Sequence, residues 1–415
     1  MRNDFVPSLD RLQPTERFPY LPLEFCNVSC HKKYVVPQSM LVNITDSSKV
    51  EIMPSKLETC NSNIDKIDNQ SLDNEFYFQW HITDKCNLRC RHCYQNDYSN
   101  ATESSLEELK TIADKINYTL SVWKKEGRVA ITGGEPFIHK DLIRLLQYLD
   151  QQPSVNKISV LTNGTLIKNY ITSLKALTKL HYIQLSLEGG REINDRIRGQ
   201  GVFDKVLKST ELLNQNGIPV RWMVTLQKMN VEDVPHIIDL ALENKVDTLL
   251  FERLIPEGEG KSLKDLVLTP EELFRVYDYI LHRSDEEYAK GSSLKILKFR
   301  TLWILTDPKR AEKNVQMPFQ REAGAACSIG MDSLCILPDA TVLPCRRLPI
   351  PIGNLKNDSI FKIWYTSDLL WKIRNKQNLK GKCNSCEFIP RCSGCRAMTY
   401  ACTGDYLEED PQCWK

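Results

Sequence analysis

Between residues 76 and 251 short apolar runs alternate with longer stretches of helical periodicity, and this alternation constrains the fold more than any other feature. The runs fall at 76–82, 129–132, 157–161, 182–187, 220–226 and 248–251. Helical patterns fill 104–125, 141–151, 171–179, 203–215 and 234–244. In the first of them Leu106, Leu109, Ile112, Ile116 and Leu120 recur at helical intervals, and Ser104 with Glu107 has capping-box spacing. Thr269-Pro270-Glu271-Glu272 opens another helix with a cap, a first-turn proline and a capping glutamate. Six strand–helix units in a row predict an α/β fold, a parallel sheet with outer helices that can curl into an open barrel. Ligands of such folds sit at the carboxyl ends of the strands. Chemistry-bearing residues fall there here: a cysteine loop after the first strand, Gly133-Gly134-Glu135-Pro136 after the second, Thr162-Asn163-Gly164-Thr165 after the third, and Ser186 and Glu188 at the end of the fourth.

The cysteine loop holds Cys86, Cys90 and Cys93 in C-x3-C-x2-C spacing, ending on aromatic Tyr94. Three thiolates on one tight loop suit a metal cluster better than a disulfide. A cube of four irons needs one ligand per iron, so three ligands leave one iron open to bind another molecule. A structural zinc site with a distant fourth ligand is the alternative. The chain has 15 cysteines, none of them between Cys93 and Cys327. Reduced compartments disfavour disulfides, so clustered cysteines there are metal ligands or catalytic groups more often than cross-links.

Charge narrows the partners. With 55 basic and 53 acidic residues the formal charge is +2, which gives no footprint for nucleic acid or an anionic membrane. No apolar run approaches the roughly 20 residues that span a bilayer, and the first residues lack an apolar signal core. The expectation is a cytoplasmic protein. Residues 1–75 are the least legible: prolines punctuate them, 39–44 and 49–53 have strand character, and 61–74 has the polar composition of a linker.

The Cys86/Cys90/Cys93 loop, joined to Gly133-Gly134-Glu135-Pro136 at the next strand end, resembles the radical S-adenosylmethionine (SAM) superfamily. The resemblance implies that the three cysteines hold a 4Fe–4S cluster whose open iron binds SAM. Reductive cleavage then gives a 5′-deoxyadenosyl radical that takes hydrogen from a substrate. Tyr94, Gly133, Gly134, Glu135, Pro136, Asn163, Ser186, Glu188 and Arg198 are the cofactor-binding residues that it points to. In the family pattern a strand-end serine contacts the SAM ribose or carboxylate and an arginine pairs with the carboxylate. Ser186 and Arg198 occupy those positions, while Glu188 stands where aspartate is usual. The glycines would let the backbone approach a ligand closely, with Glu135 nearby for charge.

Nine cysteines crowd the end of the chain. Cys327 and Cys345 bracket a hairpin-like stretch, followed by Cys383, Cys386, Cys392 and Cys395 in C-x2-C-x5-C-x2-C spacing and by Cys413. This resembles the SPASM domain, which binds auxiliary iron–sulfur clusters. The usual hairpin glycine is Ala340, and the last x2 spacing resembles haem-biosynthesis decarboxylases and some peptide decarboxylases. The resemblance implies two auxiliary clusters, one on Cys327, Cys345 and Cys395 with Cys335 as a candidate fourth ligand, the other on Cys383, Cys386, Cys392 and Cys413. Cys402 is a spare.

Together these features predict a partial (β/α)6 TIM-like barrel over 76–315, a cysteine-rich SPASM domain over 316–415, and a small N-terminal extension over 1–75 as a candidate peptide-recognition segment. The implied activity is a radical SAM oxidoreductase that matures a ribosomally made precursor peptide or protein, for instance by a thioether or carbon–carbon crosslink. An electron donor such as a flavodoxin or ferredoxin would supply the reducing electron. The rival enzyme reading is oxidative decarboxylation of a tetrapyrrole side chain. The non-enzyme rival is an iron–sulfur carrier or cluster scaffold, which would need no SAM pocket. No side chain stands out as a general base.

Overall fold

Along β1 (Glu75–His81) side chains alternate between two destinations. Phe76, Phe78 and Trp80 are buried in the hydrophobic core, where the Phe76 ring lies 5.1 Å from both Trp123 and Trp364. Tyr77 and Gln79 line a central cavity instead. This period of two places an aromatic layer under the outer helices and a polar layer inside. The computed structural model describes residues 74–99, 103–297, 301–307, 327–389 and 392–415, all within the unit Ser62–Lys415. Cys26, Cys30, Cys60 and the strand-like stretches of the N-terminal extension lie outside the described residues.

The strands that follow are β2 (Glu126–Thr132), β3 (Val155–Thr162), β4 (Leu180–Ser186), β5 (Val220–Leu226) and β6 (Thr248–Arg253), paired in sequence order and parallel. Helices α1 (Leu106–Trp123), α2 (Leu142–Asp150), α3 (Ile171–Lys175), α4 (Arg191–Arg198), α5 (Val202–Gln215) and α6 (Val234–Glu243) lie between them, and α7 (Pro270–Ala289) follows β6. The six expected units are present, and a short seventh strand, β7 (Lys295–Leu297), adds to the β6 edge. Its three residues are too few to show a period. At the other edge β8 (Ser333–Ile336) pairs parallel to β1, and β9 (Thr341–Leu343) and β10 (Gly353–Asn354) continue antiparallel. One ten-stranded sheet thus runs from β10 to β7, curled and unclosed.

Two local expectations shift. The α1 capping box is made by Ser105 and Glu108, one residue later than the Ser104/Glu107 spacing suggests. Ser104 is buried and donates instead to the Pro338 carbonyl, which removes it from the cap. In the β8–β9 hairpin Ala340 sits at φ 69, in the left-handed region that explains why glycine is usual there. No helix among the described residues is long and apolar enough to cross a membrane.

Candidate radical site

The loop after β1 is clamped from below by the loop after β2. Gly134 N–H donates to the Thr83 carbonyl at 2.8 Å, and Glu135 N–H donates to the Lys85 carbonyl at 2.8 Å. A Cβ at Gly133 would overlap the Thr83 carbonyl oxygen, and one at Gly134 the Lys85 carbonyl oxygen. The glycines therefore admit the backbone that leads into the cysteine loop. G134A is expected to push that loop outward, costing about 1–3 kcal/mol and most of the iron bound by Cys86, Cys90 and Cys93. Iron analysis with thermal melting checks this; a fully loaded G134A protein would show that the clamp is dispensable.

Glu135 is fully buried and ties the second and third strand ends together. Its Oε1 accepts from Phe137 N–H (3.1 Å) and the Thr162 hydroxyl (2.7 Å), and its Oε2 from Asn163 N–H (2.8 Å). Burial pushes the Glu135 carboxyl up to about 7, against these donors, which favour the ionised form. Pro136 opens the single turn after it. Asn163 is thereby placed over the cysteine loop: its Nδ2 donates to Asn87 Oδ1 at 2.8 Å and faces Cys86 Sγ at 4.0 Å. Leu88 N–H donates to the same sulfur at 3.4 Å.

On the opposite side, the α4 C-terminus supplies Arg198. Its Nε and Nη2 donate to Glu188 Oε1 at 3.0 and 2.6 Å, while Nη1 reaches Cys90 Sγ at 3.8 Å. The longer Glu188 side chain has a use here. One oxygen takes Arg198 and His92 Nε2 (3.2 Å), and the other accepts Thr225 N–H from β5 at 2.8 Å. Burial acts to raise the Glu188 carboxyl, but the Arg198 charge, the His92 ring nitrogen and the Thr225 donor outweigh it and hold it low. Arg198's fork is engaged by Glu188. Ser186 is half-buried at the end of β4, beside Met223 in register. Sequence reasoning missed His92, although it directly precedes Cys93. It also missed Gln227, fully buried just past β5 with both amide atoms unpartnered among the described residues. Only a hydrophilic residue closing an apolar run marked it.

Among the described residues no three His, Cys, Asp or Glu side chains converge as closely as a single metal ion needs. A cluster is a larger body held at its corners, and the donor set fits one. Cys86, Cys90 and Cys93 are unpaired and half-buried, and each of the other two thiolates acts to raise Cys90, which burial brings to about 11. A cationic iron core would reverse that penalty. N–H groups from Leu88, Asn163 and Arg198 already face the sulfurs, as cluster thiolates require.

The C-terminal cysteines form two groups. Cys327, Cys335, Cys345 and Cys395 line one cavity with Tyr77, Gln79 and Arg347. Burial, the neighbouring Cys395 thiolate and Cys345 push Cys327 up to about 12. Cys335 lies in β8, opposite Gln79 in register and fully buried. Cys413 is within reach of the charges of both Cys392 and Cys383, and Cys386 N–H donates to the Cys383 carbonyl. Cys402 is exposed, its thiol against Met398.

Arg253, at the end of β6, meets the last residues of the chain. Its Nη1 and Nη2 donate to the two oxygens of Asp410 at 3.1 and 2.9 Å, and Asp410 also accepts Cys395 N–H at 2.7 Å. Arg347 donates to Glu252 at 2.9 Å. Between the two cysteine regions stand Gln79, His81, Tyr94 and Arg346. Gln79 Nε2 and His81 Nε2 are 3.2 Å apart, and the Arg346 guanidinium lies 4.6 Å from the Tyr94 ring centre. Burial, then the Arg346 charge, keeps His81 well below its ordinary value, hence neutral.

Comparison with known proteins matches this geometry to named families. The radical SAM superfamily model matches residues 80–241, and the SPASM iron–sulfur cluster-binding domain matches residues 327–387. An AdoMet-dependent heme synthase of Methanosarcina barkeri is 28% identical over 80% of this chain and 95% of its own. The mycofactocin maturase MftC of Mycolicibacterium smegmatis is 28% identical over 83% of this chain and 84% of its own. Among solved structures, SuiB of Streptococcus suis bound to precursor peptide SuiA superposes with a TM-score of 0.66, at 19% identity, over 83% of this chain and 77% of SuiB. The two domains imply 4Fe–4S clusters and SAM binding. With the cysteine loop seated on the β1 end of an unclosed parallel barrel and a second cysteine-rich region joined to its edge, the chain carries a radical SAM superfamily domain over residues 80–241 and a SPASM iron–sulfur cluster-binding domain over residues 327–387.

Proposed function

We propose that this chain oxidatively modifies a side chain of a ribosomally made peptide or protein. Cys86, Cys90 and Cys93 hold the SAM-binding cluster. Cys327, Cys345 and Cys395, with Cys335 beside them, hold one auxiliary cluster; Cys383, Cys386, Cys392 and Cys413 hold the other. When bound, the first cluster and SAM supply a 5′-deoxyadenosyl radical that takes hydrogen from the substrate. Asn163, Leu88 N–H and Arg198 steady the thiolates, and Glu188 fixes the Arg198 fork. Glu135 holds the strand ends in register, and Ser186 and Gln227 offer polar groups to SAM at the rim. A flavodoxin or ferredoxin is the electron donor that this chemistry calls for.

One observation carries the peptide reading. Arg253 and Arg347 line the cavity and Arg198 stands at the cysteine loop, and each is engaged by a carboxylate of the chain itself: Asp410, Glu252 and Glu188. A tetrapyrrole with several propionates asks for several uncommitted cations, and these three are spent. The tetrapyrrole reading has its own support in the extent of the match to the heme synthase. Mass spectrometry separates them. Anaerobically reconstituted enzyme, SAM and dithionite are incubated with precursor peptides encoded beside the gene, and in parallel with iron-coproporphyrin III. The expected result is an oxidised peptide formed with 5′-deoxyadenosine. A decarboxylated porphyrin with no altered peptide would overturn the proposal.

A further inference from the structure

Arg346 differs from Arg198, Arg253 and Arg347. It follows Cys345 directly, and its neighbour Arg347 is turned to Glu252, with its charge close to Cys345 and Cys395. Arg346 takes the other direction, over the Tyr94 ring at 4.6 Å and toward His81. Its Nε is buried without a hydrogen-bond partner among the described residues, and no carboxylate pairs with it there. A partly buried guanidinium with no anion is costly, because desolvation is uncompensated. The Tyr94 face recovers only part of that cost. His81 and Gln79 form the adjoining wall, one neutral and the other an amide, so neither supplies the missing anion. Of the nearer cysteines, Arg347 faces Cys345 and Cys395, while the Arg346 charge reaches the buried Cys335.

We infer that Arg346, with Tyr94, His81 and Gln79 as its walls, is the anchor for a carboxylate of the substrate, held between the SAM-cluster loop and the Cys345 region. This rests on the proposed function and adds the substrate's chemical class: it bears a free carboxylate close to the reacting carbon. The guanidinium fork grips both oxygens, and the walls add neutral donors in the Tyr94 hydroxyl and the Gln79 amide. Tyr94 joins the anchor to Cys93, its neighbour in the chain, so the carboxylate and the SAM-binding loop are held in one register. A peptide terminus, an acidic side chain and a propionate all present the same two oxygens.

The test is binding by the reconstituted holoenzyme. Calorimetry compares a pool of N-acetylated dipeptides with free carboxylates against the same pool amidated; absorption titration follows iron-coproporphyrin III. The acid pool is expected to bind about tenfold or more tightly than the amide pool, with R346Q erasing the gap and R346K keeping part of it. Iron content and melting temperature establish that each variant is folded and loaded, and R346K carries the comparison if R346Q loses iron. If only iron-coproporphyrin III binds, and weakens about tenfold in the variant, the anchor stands and the peptide reading falls. If no ligand's affinity depends on Arg346, or acid and amide pools bind alike with no porphyrin effect, the anchor is wrong whatever the substrate.

Discussion

Alanine in place of Cys86, Cys90 or Cys93 is expected to remove one cluster's iron, about four atoms per chain, and to abolish 5′-deoxyadenosine release under reducing conditions. The argument is one of coordination. The loop offers three thiolates, and a cube that loses one of three protein ligands exposes two irons and dissociates. Supporting groups cannot substitute: Leu88 N–H and Arg198 are donors to sulfur and bring no lone pair to iron, and the Asn163 amide oxygen is taken by the Thr165 N–H and hydroxyl. Cys90 matters as much as Cys86 although it is the more buried, since burial disfavours its free thiolate and only the metal recovers that cost. C402A is the control: the Cys402 residue is exposed and its thiol lies against Met398, so iron content and SAM cleavage should match the unaltered protein. A C86A protein that still releases 5′-deoxyadenosine at the unaltered rate would refute the site.

The second large effect is expected at Asp410. D410A should destabilise the fold by about 3–5 kcal/mol, the usual cost of breaking one partner of a buried ion pair, and should lower the iron held by the C-terminal cysteines. Asp410 is almost fully buried and satisfies Arg253 through both oxygens, while accepting Cys395 N–H and Gln412 N–H. Removing it strands the Arg253 guanidinium and frees the backbone of Cys395 at once. R253K should fare little better, because an ammonium cannot fork across both carboxylate oxygens or reach Thr301 and Gln412 together. Burial acts to raise the Asp410 carboxyl, but Arg253 and the backbone donors prevail and hold it low. Its contribution is therefore present at neutral pH and is lost as pH falls below the ordinary carboxylate range. Melting curves at neutral and acidic pH, with iron analysis, check both parts. A melting temperature for D410A equal to the unaltered protein's at neutral pH would show the pair to be unimportant.

The β-strands and the cysteine loop were legible because both are written locally. A period of two in β1 and a C-x3-C-x2-C spacing need no knowledge of the rest of the chain. The rest depends on residues distant in sequence. Glu135 meets Thr162 and Asn163 across 27 and 28 positions, and Arg253 meets Asp410 across 157. Nothing near Glu135 says that its carboxylate ties two strand ends together. Glu188 looked like a departure from the usual aspartate until its reach to Arg198, His92 and Thr225 gave the extra methylene a purpose. Ser104 had the right spacing for a cap and lost the role to Ser105 because Pro338, from the far end of the chain, claims its hydroxyl. Arg346 and Arg347 are chemically identical in sequence; only the fold turns one toward Glu252 and the other toward Tyr94.

The ladder between β1 and β8 pairs Tyr77 through Trp80 with Ser333 through Ile336. β1 runs straight into the SAM-cluster loop, and β8 runs into the hairpin that carries Cys345. A hinge between the two cysteine regions would have to break this ladder and uncover the core beneath it. Electron tunnelling falls off steeply with distance, so a path that opened and closed would transfer charge irregularly. With clusters on both regions as proposed, hydrogen-bonded neighbouring strands would fix the donor-to-acceptor gap as a property of the backbone, leaving the rate of electron hand-over to be tuned by side chains in between rather than by domain motion.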